Sequence, residues 1–196
     1  AHAALWWREV PSYPDHVIGT IGGFAATDRE ASRLLLEAAT RHLRRQDCTI
    51  AVGPMNGNTW RSYRFVAESD GRKPFLLEPR NPEDYPGWWL GTGFGKLSAY
   101  SSSLMPLDGT EAVSPALRSR IERSGITIRP LDVGRYDEEL GLIHELSLRS
   151  FSNNFLYTPL EKEAFLASYR KVRQHVDPDF VRIAELNTFQ GRGGGS

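Results

Sequence analysis

Residues 17–55 read VIGTIGGFAATDREASRLLLEAATRHLRRQDCTIAVGPM, and this stretch decides the fold. Val17 to Phe24 is rich in β-branched and aromatic side chains, the make-up of a buried strand. Thr27 and Glu30 stand three apart as a capping box. From there Ala31, Leu34, Leu35, Ala38, Ala39 and Leu43 recur at steps of three and four, which predicts an amphipathic helix ending near Gln46. Cys48, Ile50 and Val52 then alternate as a short strand until Gly53-Pro54 breaks it. Strand, helix and strand in that order predict a βαβ crossover.

Working outward, Ala3 to Arg8 is a second apolar run, separated from Val17 by Pro11, Pro14 and Asp15, so a hairpin is expected there. Asn81 before Pro82 predicts the start of a short helix carrying Trp88 and Trp89, and Lys96 to Ser102 reads as a further strand. A Ser-, Pro-, Gly- and Asp-rich connector follows. Beyond it Ser114-Pro115 opens a helix to about Arg123, and Ile126 to Arg129 reads as a strand. Asp132 caps a helix with Tyr136, Leu140, Ile143 and Ser147 on one face. Thr158, Pro159 and Glu161 predict a helix start whose buried stripe is Phe165, Tyr169 and Val172. Phe180 to Ala184 closes the pattern as a strand.

The chain has 196 residues, enough to bury about two-thirds of the surface its unfolded form exposes. Its 24 Lys and Arg balance 24 Asp and Glu, so no global field draws in nucleic acid or an anionic membrane, and neither is expected as a partner. A single cysteine, Cys48, excludes an internal disulfide and fits a reducing compartment. No apolar run approaches the roughly 18 residues of a membrane span, and Ala1 to Val10 lacks the features of a signal peptide, so a cytoplasmic location is expected. Neither His144 nor His175 has a second ligand at metal-binding spacing, and no metal is expected.

Gly53-Pro54-Met55-Asn56, Phe75 to Pro79, Asn81-Pro82, Gly93-Phe94 and Tyr100, taken with the 17–55 crossover, resemble the GNAT acyltransferase superfamily, in particular a branch of uncharacterised bacterial GNAT-like proteins. Ile128 to Asp132 and Pro159 to Ala184 resemble the opening of a GNAT domain. The resemblance implies an α/β (α+β) fold with a mixed, mostly antiparallel central sheet flanked by helices. It also implies this organisation: residues 1–102 as a late half, 103–114 as linker, 115–186 as an early half on the same sheet, and 187–196 as a flexible tail, with two incomplete units as the alternative to one shared sheet.

What the resemblance implies chemically is transfer from acetyl-coenzyme A, or another acyl-coenzyme A, to a small-molecule amine. Thr27 and Arg29 would meet the cofactor at the helix start, Asn56 and Asn58 would contact it beside a gap between neighbouring strands, and Tyr63 would return a proton to the leaving thiolate. Glu78 is a candidate general base, with Asp84 beside it. GNAT proteins present a basic, glycine-containing loop to the cofactor's phosphates, whereas Phe24 to Ala31 places Asp28 and Glu30 there, with Arg29 as its one cation. Two other readings stand beside these roles: Thr27 and Glu30 as a simple cap, and Asn56-Gly57-Asn58 as a turn. A catalytically inactive GNAT-like module, binding a small molecule or a protein, is the alternative function. The five tryptophans make a second copy of the chain a candidate partner.

Overall fold

The computed structural model of the chain describes residues 1–75, 78–104, 106 and 114–186. It is a mixed α+β protein that divides into two compact units, one of residues 1–100 with 150–159, the other of 101–149 with 160 onward. The expected single central sheet is corrected to two: the described strands form one sheet of three and one of two. The tail at 187–196 and most of the 103–114 connector lie outside the described residues.

In the first unit, strand β1 (His2–Trp6) runs antiparallel to β2 (Ile18–Ala25), with Leu5 opposite Ile21 and Trp6 opposite Thr20. The expected hairpin is therefore present. Helix α1 (Arg29–Arg45) carries the chain over to β3 (Ile50–Val52), which pairs parallel with β2 through Ile18–Ile50, Gly19–Ala51 and Thr20–Val52. That is the crossover expected from residues 17–55.

Two details of α1 differ from expectation. Its cap is Asp28, whose extended backbone lets the carboxylate accept from the Ala31 amide at 2.8 Å; the Thr27 hydroxyl donates to Asp28 at 2.9 Å, and Glu30 pairs with Arg33. The buried face is Ser32, Leu36, Ala39 and Leu43, one step round from the expected stripe, and Leu34 is 53% exposed. Here the sheet chooses the face: Ile21 and Cys48 pack with Leu36, Ala39 and Leu43, and each large apolar side chain removed from water contributes about 1.5–3 kcal/mol.

Helix α2 (Asp84–Leu90) is short and is not capped by Asn81. That side chain accepts from Val66 N at 2.8 Å and donates to Val66 O at 3.2 Å, fastening a loop. Lys96 to Ser102 forms no strand: residues 95–102 are exposed, with no sheet face against which an alternating pattern could be buried. A smaller core of Ile18, Val52 and Met55 is completed by Leu156.

In the second unit, Ser114 caps α3 (Pro115–Arg123) by accepting from Leu117 N, as expected. β4 (Ile126–Pro130) follows, and Asp132 caps a 3-10 turn that leads into α4 (Tyr136–Phe151). Helix α5 (Lys162–Arg170) begins later than Thr158-Pro159 predicts, with Glu161 as its cap residue. Its buried residues are Phe165 and Leu166; Tyr169, in the last turn, and Val172, beyond the helix end at Arg170, are exposed. β5 (Arg182–Leu186) pairs antiparallel with β4, while Phe180, expected as the first residue of that strand, lies in a 3-10 turn, Pro178–Phe180, capped by Asp177.

On one face of this ribbon Arg129 lies between two carboxylates. It donates to both oxygens of Glu139, at 2.8 and 3.0 Å, and to Glu185 at 2.7 Å. Glu139 is 1% exposed, so the forked guanidinium supplies the compensation that a buried carboxylate requires. Glu185, bonded to Arg129, is held below the usual carboxylate range.

Candidate functional site

Residues Gly53 to Tyr63 decide whether neighbouring strands part to admit a thioester arm. β3 ends at Val52, yet the chain goes on bonding to β2. Met55 N donates to Ile21 O at 2.8 Å, and Gly23 N donates to Asn56 Oδ1 at 2.7 Å. The side-chain amide of Asn56 thus takes the place of the next ladder carbonyl. Glycine is needed on both sides of the seam: a methyl at Gly22 would lie 2.5 Å from Met55 O, and one at Gly53 would lie 2.7 Å from Ile21 O and 2.5 Å from the rim of Trp89. The expected gap is therefore closed, by hydrogen bonds along the seam and by tryptophan over Gly53.

The return limb is equally fixed. Asn56 N donates to Ser62 O at 2.9 Å, Arg64 N donates to Pro54 O at 2.9 Å, and Met55 bridges Tyr63. Asn58 accepts from Trp60 N at 3.1 Å, an Asx turn, while Gly57 takes φ +86. The turn reading of Asn56-Gly57-Asn58 is the one this geometry follows. Tyr63 lies edge-on to Tyr100, ring centres 5.9 Å apart, with the Arg64 guanidinium 4.9 Å from its own ring and 5.2 Å from that of Tyr100.

The other sequence-derived residues stand elsewhere in the unit. Thr27 and Arg29 are exposed at the start of α1, beside a shallow depression of about 350 Å³ lined by Arg29, Glu30, Arg33, Gly91 and Thr92. The positive end of the helix dipole there is already met by Asp28, which the Ala31 amide and then the Thr27 hydroxyl hold below the usual carboxylate range. Glu78 accepts from Phe75 N at 2.9 Å, and Asp84 is the first residue of α2. The fold thus gathers Asn56, Asn58 and Tyr63 on one turn and its return limb.

An aromatic group that sequence reasoning did not assign to this place holds the seam. Trp89, 4% exposed, meets Phe24 at 5.3 Å, Phe65 at 5.4 Å and Phe94 at 4.8 Å between ring centres. Tyr85, one turn earlier on α2, accepts from Ala26 N and donates to Ala26 O, which fixes the loop entering α1. The four-residue spacing of Tyr85 and Trp89 was the signal available in the sequence.

Comparison with known proteins adds one likeness. No family model and no solved structure matches the chain. Over 177 residues it is 28% identical to a protein named bacterial ceramide synthase from Caulobacter vibrioides (strain NA1000 / CB15N). The match takes in 86% of this chain and 44% of that protein, so the chain spans less than half the length of the curated relative to which it is similar.

Proposed function

We propose that this chain is a GNAT-like module of an acyl-coenzyme A-dependent N-acyltransferase that makes a lipid amide, and that its first unit supports the enzyme without carrying the transfer step. The likeness to a protein named for ceramide synthesis motivates the reaction class, since a ceramide is an amide. In such a reaction the amine nitrogen attacks the thioester carbonyl, the C–N bond forms as the C–S bond breaks, and the proton lost by nitrogen passes to the thiolate. A cytoplasmic setting fits the donor.

One observation carries the assignment of a supporting role: the Asn56 side chain occupies the Gly23 amide, and Met55 occupies Ile21 O, on the strand edge where a thioester arm would have to lie. Tyr63, the candidate proton donor, is placed against Tyr100 and Arg64 beside that closed seam. The exposed start of α1 adds no anion site, because Asp28 and Glu30 stand there.

Thermal titration with acetyl-coenzyme A and with a long-chain acyl-coenzyme A tests the reading. A ligand at 100 times its dissociation constant adds about 2.7 kcal/mol to stability, so binding would be plain. The expected result is no shift, with slow hydrogen exchange at the Gly23 and Met55 amides. A rise in melting temperature that Asn56→Ala abolishes, or thioester cleavage that Tyr63→Phe abolishes, would instead make this chain the transferring unit.

A further inference from the structure

We infer that residues 150–159 are a releasable strap that locks the seam beside Gly53, so that the closed edge of β2 is a held state of the first unit. The segment belongs to that unit, although 98 residues separate Thr158 from Trp60, which it touches. Leu156, 8% exposed, enters the small core of Ile18, Val52 and Met55, against which Tyr63 also packs. The Trp60 indole donates to Thr158 O at 2.7 Å, and the Tyr157 ring stands 6.1 Å from that of Trp60.

These contacts fall on the limb that closes the seam. Met55 N donates to Ile21 O and Asn56 accepts from the Gly23 amide, while Trp60 lies in the turn between Asn56 and its return partner Ser62. β2 thus holds the limb through the seam bonds, and the strap holds the same limb through Met55 and Trp60. The strap itself is docked under strain. Leu156 takes φ +55, a left-handed backbone that side chains with a Cβ disfavour. The hydroxyls of Tyr157 and Thr158 are buried with no hydrogen-bond partner among the described residues, a loss relative to water. Residues 152–159 join neither sheet, and the bonds from Asn154 N to Phe151 O and from Tyr157 N to Asn154 O lie within the strap. A turn segment docked by side chains opens on its own, without the rest of the fold, and release returns both hydroxyls to water and frees the Leu156 backbone.

The strap deepens the supporting role proposed above and rests on the closed seam of that reading: it names what keeps Gly23 N and Ile21 O covered. Native-state amide exchange in low urea, followed by NMR, tests it. In the unmodified chain the amides of Tyr157, Gly23 and Met55 are expected to exchange faster than that of Leu36 in α1, by an opening smaller than global unfolding. Trp60→Phe removes one hydrogen bond to the strap and should speed all three by about fivefold. Tyr157→Phe removes a buried unpartnered hydroxyl and should slow all three. Seam amides that ignore both variants while Tyr157 responds would overturn the strap and leave the closed seam standing. So would exchange of all three only at the Leu36 rate, or acceleration by Tyr157→Phe, since the hydroxyl would then be tying the segment down. Gly23 and Met55 amides exchanging as freely as those of an unfolded chain would remove the closed seam, and the supporting role with it.

Discussion

The Oδ1 of Asn56 accepts the amide hydrogen of Gly23 across 2.7 Å, so that a side chain rather than a strand completes the edge of β2. Removing it should loosen the seam without unfolding the unit, because Gly23 is exposed and its amide can turn to water. Asn56→Ala is expected to cost about 1 kcal/mol and to accelerate hydrogen exchange at Gly23. Asn56→Asp, which keeps the acceptor, should leave that exchange slow. Denaturant melts with amide exchange on both variants check this.

Thr20 presents the opposite case. It is 0% exposed on β2, and its hydroxyl has no hydrogen-bond partner among the described residues. A buried donor without an acceptor is destabilising, and an apolar isostere removes the conflict. Thr20→Val is expected to stabilise the chain by about 1 kcal/mol, read as a higher denaturation midpoint at constant slope.

Trp89 fills the space over Gly53, its ring rim 2.5 Å from where a methyl on that glycine would sit. Trp89→Ala should cost about 3–5 kcal/mol through the cavity left among Phe24, Phe65 and Phe94. Trp89→Phe should cost visibly less, since part of the ring volume stays. Equal losses for the two would show that the aromatic group does not act by filling volume.

In the second unit, Glu139 is the buried partner of Arg129. Glu139→Ala removes two charge-assisted hydrogen bonds of a buried carboxylate but leaves the part-exposed Arg129 its bond to Glu185, and is expected to cost about 2 kcal/mol. Replacing the exposed Glu138, whose contact with Arg135 is long at 3.5 Å, should change stability by no more than about 0.5 kcal/mol. Urea melts of the two variants should separate them cleanly.

Acid should weaken the fold in a defined direction. Asp28 is lowered by the Ala31 amide, Asp132 by Arg135 and then the Gly134 amide, and Asp137 by Arg170. A carboxyl whose folded pKa lies below its unfolded value stabilises above the unfolded value and loses that contribution as pH falls through the folded one. Melting temperature is therefore expected to fall on acidification below about pH 4. Arg170→Ala should flatten the part of the slope that comes from Asp137.

Where local chemistry sufficed, the elements were legible in the residues themselves. The alternation before Gly53-Pro54, the three- and four-residue periodicity from Ala31 to Leu43 and the Ser114-Pro115 start each describe interactions within a few residues along the chain, and the crossover of residues 17–55, α3 and β4 all stand where those signals lie. The cap assignments to Thr27 and Asn81 failed because local chemistry did not suffice there. Thr27 and Asp28 both carry an oxygen able to cap, and the extended backbone at Asp28 selects Asp28. Asn81 has cap chemistry, but Val66, brought near by the loop, takes its side chain instead.

The sequence by itself determined where β1, β2, α1, β3, α3 and β4 form, because hydrogen bonding and side-chain spacing within a turn or a strand are local. Only the tertiary structure decided which face of α1 is buried, that Lys96 to Ser102 remains outside any sheet, and that Asn56 and Trp89 close the seam beside Gly53. Each of those outcomes depends on a partner distant along the chain, Ile21 for Leu36, Gly23 for Asn56 and Gly53 for Trp89, whose position no local pattern encodes.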